Sequence, residues 1–148
     1  TESCDEIFVY NHRKIYFYIQ INGTSFYRIL VSWHMEIEHI KLKDIIEASK
    51  FIKKVFDEFI AEDYSEKGAG HFYELIDEQS IQQRFLNGNM IIDAKSENRI
   101  TGYIEITNLN HIYLLFVAKE FQKKGIGRKL IYFSLNMLIE NNPELTRV

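Results

Sequence analysis

The sequence predicts an α/β domain in which a mainly antiparallel sheet is flanked by helices, and three observations carry that prediction. Ile45, Ala48, Ile52, Val55, Phe56 and Phe59 recur at three- and four-residue steps, the stripe of a long helix lying on a core. Downstream, three segments dense in β-branched and aromatic residues are joined by connections short enough for antiparallel hairpins. Finally, His111 to Met137 carries an apolar strand into a basic, glycine-bearing turn that opens an amphipathic helix.

Taken in order, residues 1–34 hold three apolar runs, Ile7 to Tyr10, Lys14 to Ile21 and Phe26 to Val31, with Asn22-Gly23 between the last two as a two-residue hairpin signal. Glu36 to Ile40 alternates charge and apolar residues as a short strand does. The striped helix follows, with Asp44 in its first turn, where a carboxylate suits the dipole. Phe72, Leu75 and Ile76, then Ile81, Phe85 and Leu86, predict one or two further short helices ended near Gly88. The three strands are Met90 to Ala94, Arg99 to Thr107 and His111 to Val117, connected by Ser96-Glu97-Asn98 and Asn108-Leu109-Asn110. The last helix places Leu130, Ile131, Ser134, Met137 and Leu138 on one face. It should stop before Pro143, because the residue before a proline is pushed out of the helical region.

Composition limits the functional classes. A domain of 148 residues buries about 68–70% of its unfolded surface, enough for a core. The net charge of −3 argues against a general nucleic-acid binder, so the local group Lys123, Lys124, Arg128 and Lys129 reads as one focused anion site. Cys4 is the sole cysteine, which excludes an intramolecular disulfide and a CxxC metal site and points to a reducing, cytoplasmic setting. The histidines are too scattered for a ligand set and no HExxH occurs, so no metal is expected. The longest apolar run, Ile112 to Ala118, is far short of the roughly 20 residues a membrane helix needs, and no membrane partner is expected.

The turn after the strand has the build of a phosphate site. Unpaired N–H groups at a helix N-terminus, backed by the positive end of the macrodipole, favour an anion. Gly125 and Gly127 let the main chain approach it closely. A Walker loop would need GxxxxGK[ST], and a dinucleotide fingerprint would need a small residue where Leu130 stands. What remains, Gln122-Lys123-Lys124-Gly125-Ile126-Gly127, is the Q/R-x-x-G-x-G/A pattern, and with its preceding strand and following helix the chain resembles the GNAT superfamily of acyl-CoA-dependent N-acetyltransferases.

The resemblance spans residues 35–148 and implies a GNAT-like fold, C-terminally incomplete, because the family's later strands would follow Val148. It also implies acetyl-CoA as co-substrate and direct acetyl transfer to a small-molecule or peptide amine, with no covalent enzyme intermediate and with a homodimer as one arrangement. Residues 1–34 fit no family element. They read as a leader translated from upstream of the natural start at Met35, or as a hairpin that adds to an open sheet edge; the former is preferred.

By the same resemblance, the backbone of Phe116 and Val117 would hold the pantetheine arm while Gln122, Lys123, Lys124, Gly125, Ile126, Gly127 and Arg128 wrap the diphosphate. The incoming amine must be neutral. For an amine of pKa about 10.4 that costs roughly 4.6 kcal/mol at pH 7, against about 1–1.4 for an α-amine. Glu105 and His111 are the candidate bases, although Glu105 reads more readily as a solvent-facing strand residue and His111 equally as a hairpin cap. Glu62, Asp63 and Tyr64, in the connection after the first helix, are the expected acceptor contacts, two carboxylates attracting a cationic amine. The rival readings are a non-catalytic CoA-binding or regulatory module and a Rossmann-type nucleotide fragment. The short hairpin-like connections argue against the latter, which needs parallel strands.

Overall fold

The computed structural model describes residues 6–11, 14–21, 24–28 and 35–146. The chain divides into two units, residues 1–35 and 36–148, and each is taken by itself. In the first, β1 (Glu6–Asn11), β2 (Lys14–Ile21) and β3 (Thr24–Arg28) form an antiparallel sheet in that order. Ile21 pairs with Thr24; the Asn22-Gly23 turn expected there lies outside the described residues, as do residues 29–31 of the third expected run.

The second unit is built on a four-stranded sheet of order β4-β5-β6-β7: β4 (Met35–His39), β5 (Met90–Ser96), β6 (Arg99–Thr107) and β7 (His111–Val117). The last three form antiparallel pairs. Ser96 pairs with Arg99, so the first hairpin turns on two residues, Glu97 and Asn98, both left-handed at φ 53° and 63°. Positive φ at both central positions is the turn whose twist matches its strands. Between β6 and β7 three residues intervene, and Asn108 and Leu109 are again left-handed.

Between β4 and β5 the chain runs through α1 (Ile45–Phe59), α2 (Glu66–Leu75) and α3 (Glu78–Leu86). Ser65 caps α2 by accepting from Gly68 N at 3.0 Å, and Asp77 caps α3 by accepting from Ser80 N at 2.7 Å. Each cap satisfies an N–H group the helix itself leaves open. The α1 stripe is buried at Ile45, Ala48, Ile52, Val55 and Phe56. Phe59 departs from expectation: it is exposed, with the Lys119 ammonium 6.0 Å from its ring centre. Asp44 stands at the N-cap of α1, as its place at the helix start requires, and its side chain binds Lys95 Nζ at 2.6 Å without a capping hydrogen bond.

Register decides the faces of the sheet. Asp93, Tyr103 and Phe116 lie opposite one another across β5, β6 and β7, as do Ile91, Glu105 and Leu114, and residues opposite one another share a face. Ile91, Tyr103 and Phe116 join the α1 stripe, Ile76 and Ile81 in one core, so the first three helices cover this face. The final helix, α4 (Ile126–Asn141), packs on the other, burying Ile126, Leu130, Ser134 and Leu138. It ends before Pro143, as the sequence requires.

Candidate active site

The glycine turn takes its shape from the end of β7. Ala118 N donates to Thr101 O at 2.8 Å, holding the chain against β6, and a 3₁₀ turn at Lys119–Phe121 then reverses it. Gln122 Nε2 donates to Val117 O at 3.0 Å, tying the loop back to the strand it left. Lys123 sits at φ 61° and Gly125 at φ 81°. Gly125 is the N-cap of α4, a left-handed position that a side chain would strain. Because glycine has no side chain, the N-cap of this helix makes no side-chain hydrogen bond to the first-turn N–H groups, unlike the caps of α2 and α3. Those N–H groups, with the macrodipole behind them, form an anion seat.

Above the turn lies an open depression of about 390 Å³, lined by Val117, Phe121, Gln122, Lys123, Gly125, Ile126, Gly127 and Arg128. The structure thus brings most of the expected cofactor residues to one place. Phe116 buries its ring against Phe72, with centroids 6.0 Å apart, and the expectation for it concerned its backbone alone. One residue stands differently. Lys124 does not line the depression; its Nζ stands 5.6 Å from the Phe121 ring centre. A Cβ at Gly127 would come no closer than 3.8 Å to Val117 Cγ2. Nothing in the fold demands glycine there, and its bareness matters only to what enters the depression.

One residue the motif does not contain places this loop. A Cβ at Gly102 of β6 would stand 2.9 Å from Leu130 Cδ1 and 3.2 Å from Ile126 Cγ2. The missing side chain lets the first turn of α4 seat directly on the sheet. A glycine inside a strand pattern signals close approach of another element, and that signal was present in Arg99 to Thr107.

The expected bases are not brought together. Glu105 is fully buried on the core face, which corrects the solvent-facing alternative. Its carboxylate accepts from Arg84 Nε at 2.6 Å and Nη2 at 3.2 Å, from Asn89 Nδ2 at 2.8 Å and from the Tyr103 hydroxyl at 2.8 Å. Four donors and full burial fix this carboxylate within the core. Burial first, and the neighbouring Glu105 charge second, hold the Tyr103 phenol far above its usual range. Arg84, Asn89 and Tyr103 had no local signature in the sequence. His111 is exposed where β7 begins.

Glu62 and Asp63 lie exposed in a 3₁₀ turn after α1, and Tyr64 sets its ring edge-on to Phe56 at 5.4 Å. No group of three or more His, Cys, Asp or Glu among the described residues could hold a metal ion, and no helix among them is long and apolar enough to cross a membrane.

Solved structures share this fold. The chain resembles the N-acetyltransferase PaiA of Thermoplasma acidophilum, solved in complex with coenzyme A, at 17% identity and a TM-score of 0.64, over 72% of this chain and 73% of that one. A GCN5-related N-acetyltransferase from Rhodopseudomonas palustris aligns at 19% identity and a TM-score of 0.61, over 72% and 66%. A GNAT family acetyltransferase from Brucella melitensis, solved with acetyl-CoA, aligns at 20% identity and a TM-score of 0.53, over 74% and 71%. No curated protein sequence matches. Residues 60–148, which include β5, β6, β7, the glycine turn and α4, match the model of the acetyltransferase (GNAT) domain. The strand, the uncapped helix and the sequence match agree, and the chain belongs to the GNAT family of N-acetyltransferases.

Proposed function

We propose that this chain binds acetyl-CoA with its diphosphate on the first turn of α4 and transfers the acetyl group directly to an amine. The observation that supports this most is the Gly125-capped N-terminus of α4, whose cap supplies no side-chain hydrogen bond and which opens beneath the depression beside Val117. Gln122, Lys123, Gly125, Ile126, Gly127 and Arg128 would surround the diphosphate, with Lys124 adding charge from the side. Each helix-terminal contact contributes about 0.3–1 kcal/mol when exposed and up to roughly 2 when partly buried, so several together suffice for micromolar binding.

Reach then locates the chemistry. The pantetheine arm is about as long as four residues of extended chain, roughly 14 Å. Among the described residues no strand pairs with the outer edge of β7, so the edge at Phe116 and Val117 would take the arm as an added strand, in exchange for the Gln122 amide that holds Val117 O at 3.0 Å. Four positions back from Val117 stands Tyr113, where the register between β6 and β7 shifts: Glu105 pairs with Leu114 and Ile106 with Ile112, leaving Tyr113 without a partner. The thioester belongs at this bulge, a feature that re-aims backbone and recurs beside active sites.

The acceptor, on this reading, is a small-molecule or peptide amine approaching the same edge. His111, exposed two positions further along β7, would take its proton directly or through water. Glu62, Asp63 and Tyr64 lie toward the other end of the strand, where α1 meets Lys119; we assign them to guiding a cationic acceptor into the site.

Thermal denaturation with acetyl-CoA, CoA, NAD and ATP tests the binding half. At a ligand level of 100 Kd the first two should stabilise the chain by about 2.7 kcal/mol, and Gly125→Val should abolish the effect. Equal stabilisation by NAD or ATP would sink the assignment. Thiol release from acetyl-CoA across a panel of amines then separates an enzyme from a CoA-binding module.

A further inference from the structure

We propose that Arg84 is a positioning residue for acetyl transfer: locked by Glu105, it holds the Tyr113 ring and so fixes the bulged backbone against which the thioester lies. The inference rests on the binding mode proposed above and adds a residue from a different element, α3. Arg84 spends Nε and Nη2 on the two Glu105 oxygens and donates from Nη1 to Leu75 O at 2.7 Å. Glu105 is itself pinned by Asn89 and Tyr103. The guanidinium therefore has one orientation, and in it Cζ lies 5.3 Å from the centre of the Tyr113 ring.

Two physical points favour positioning over plain stability. A buried ion pair stabilises poorly, because the cost of desolvating both charges offsets their attraction, and apolar residues of equal volume often do as well. What a doubly hydrogen-bonded guanidinium supplies is direction, since its planar fork admits one geometry that an ammonium cannot copy. Tyr113 needs such a restraint. Its side chain is exposed on an edge strand, at the position that lacks a cross-strand partner, so no register pairing holds it. A cation over the ring face supplies the missing attraction. The chain of contacts then runs from the core through Glu105 and Arg84 to Tyr113, four positions before Val117 at the end of β7.

The test uses the full chain and acetyl-CoA labelled with ¹³C at the thioester carbonyl, followed by NMR, so no acceptor amine is needed. In the unaltered protein the bound carbonyl resonance should move away from its position in free acetyl-CoA. Arg84→Met should return most of that displacement while affinity for acetyl-CoA changes by less than about threefold. Arg84→Lys should fail to restore it. Should Arg84→Met unfold, Tyr113→Leu carries the test, because that side chain is exposed: it should also lose the displacement, whereas Tyr113→Phe, which keeps the ring, should retain it. The proposal is overturned if the carbonyl is undisplaced in the unaltered protein despite binding. It is equally overturned if Arg84→Met or Tyr113→Leu keeps the displacement, or if Tyr113→Phe loses it, which would assign the effect to the hydroxyl. Absence of any acetyl-CoA binding would instead remove the underlying binding mode, and this inference with it.

Discussion

Glu105 and Asp93 stand on the same face of adjacent strands, both wholly buried, and their surroundings could hardly differ more. Glu105 accepts four hydrogen bonds, two of them from one guanidinium. Neither oxygen of Asp93 has a hydrogen-bond partner. The nearest cation, Lys95 Nζ, is 3.8 Å away and is held more closely by Asp44 at 2.6 Å, with Glu38 at 3.9 Å. Burial therefore pushes the Asp93 carboxyl up to about 6; Lys95 opposes the shift, and Glu38, Asp44 and Glu47 reinforce it. Burial alone says little about a carboxylate. Its partners decide whether it anchors a network or strains against its site.

The largest effect should come from breaking the satisfied member. Glu105→Leu leaves the Arg84 guanidinium without its countercharge and should destabilise the fold by about 3–5 kcal/mol, read as a fall in the urea midpoint. A loss below about 1 kcal/mol would mean that Arg84 finds other partners, and the contrast with Asp93 would dissolve.

Asp93→Asn should act in the opposite direction. The folded-state pKa of about 6 lies above the ordinary value of 3.8, so the folded protein holds this proton more tightly than the unfolded chain does. The protonated group favours folding at low pH, and that contribution is lost as pH rises from about 4 through 6. Above pH 6 the substitution should therefore stabilise the protein by up to about 3 kcal/mol, two units at 1.36 kcal/mol each. The gap should close as pH falls toward 4. Denaturation curves for both proteins at pH 4.5, 6 and 7.5 check this, and a gap independent of pH would show that Asp93 is not the titrating group.

Tyr103→Phe gives the smallest change. It removes one of four donors to Glu105 without exposing the carboxylate, and should cost about 1–2 kcal/mol. If it costs as much as Glu105→Leu, the network depends on the phenol rather than on the guanidinium.

Much of this was written locally in the chain. The α1 stripe, the hairpin reversals and the stop before Pro143 follow from periodicity and backbone restriction, which act over a few residues. The glycine turn was legible for the same reason, since it uses backbone geometry and unpaired N–H groups more than side chains brought from afar. Phe59 shows where the approach gave out: it has the right spacing for the stripe, but α1 ends there and the core does not extend beneath it.

The sequence by itself determined which segments pair or coil, and where a glycine turn opens the last helix, because alternation, helical spacing and a left-handed glycine are properties of neighbouring residues. Only the tertiary structure decided what the two buried carboxylates do, why Gly102 must lack a side chain, and that Arg84 reaches Tyr113. Alternation assigns a residue to a face of the sheet but not to the helix that will cover it. For a charged group in a core, that unseen helix supplies or withholds every partner.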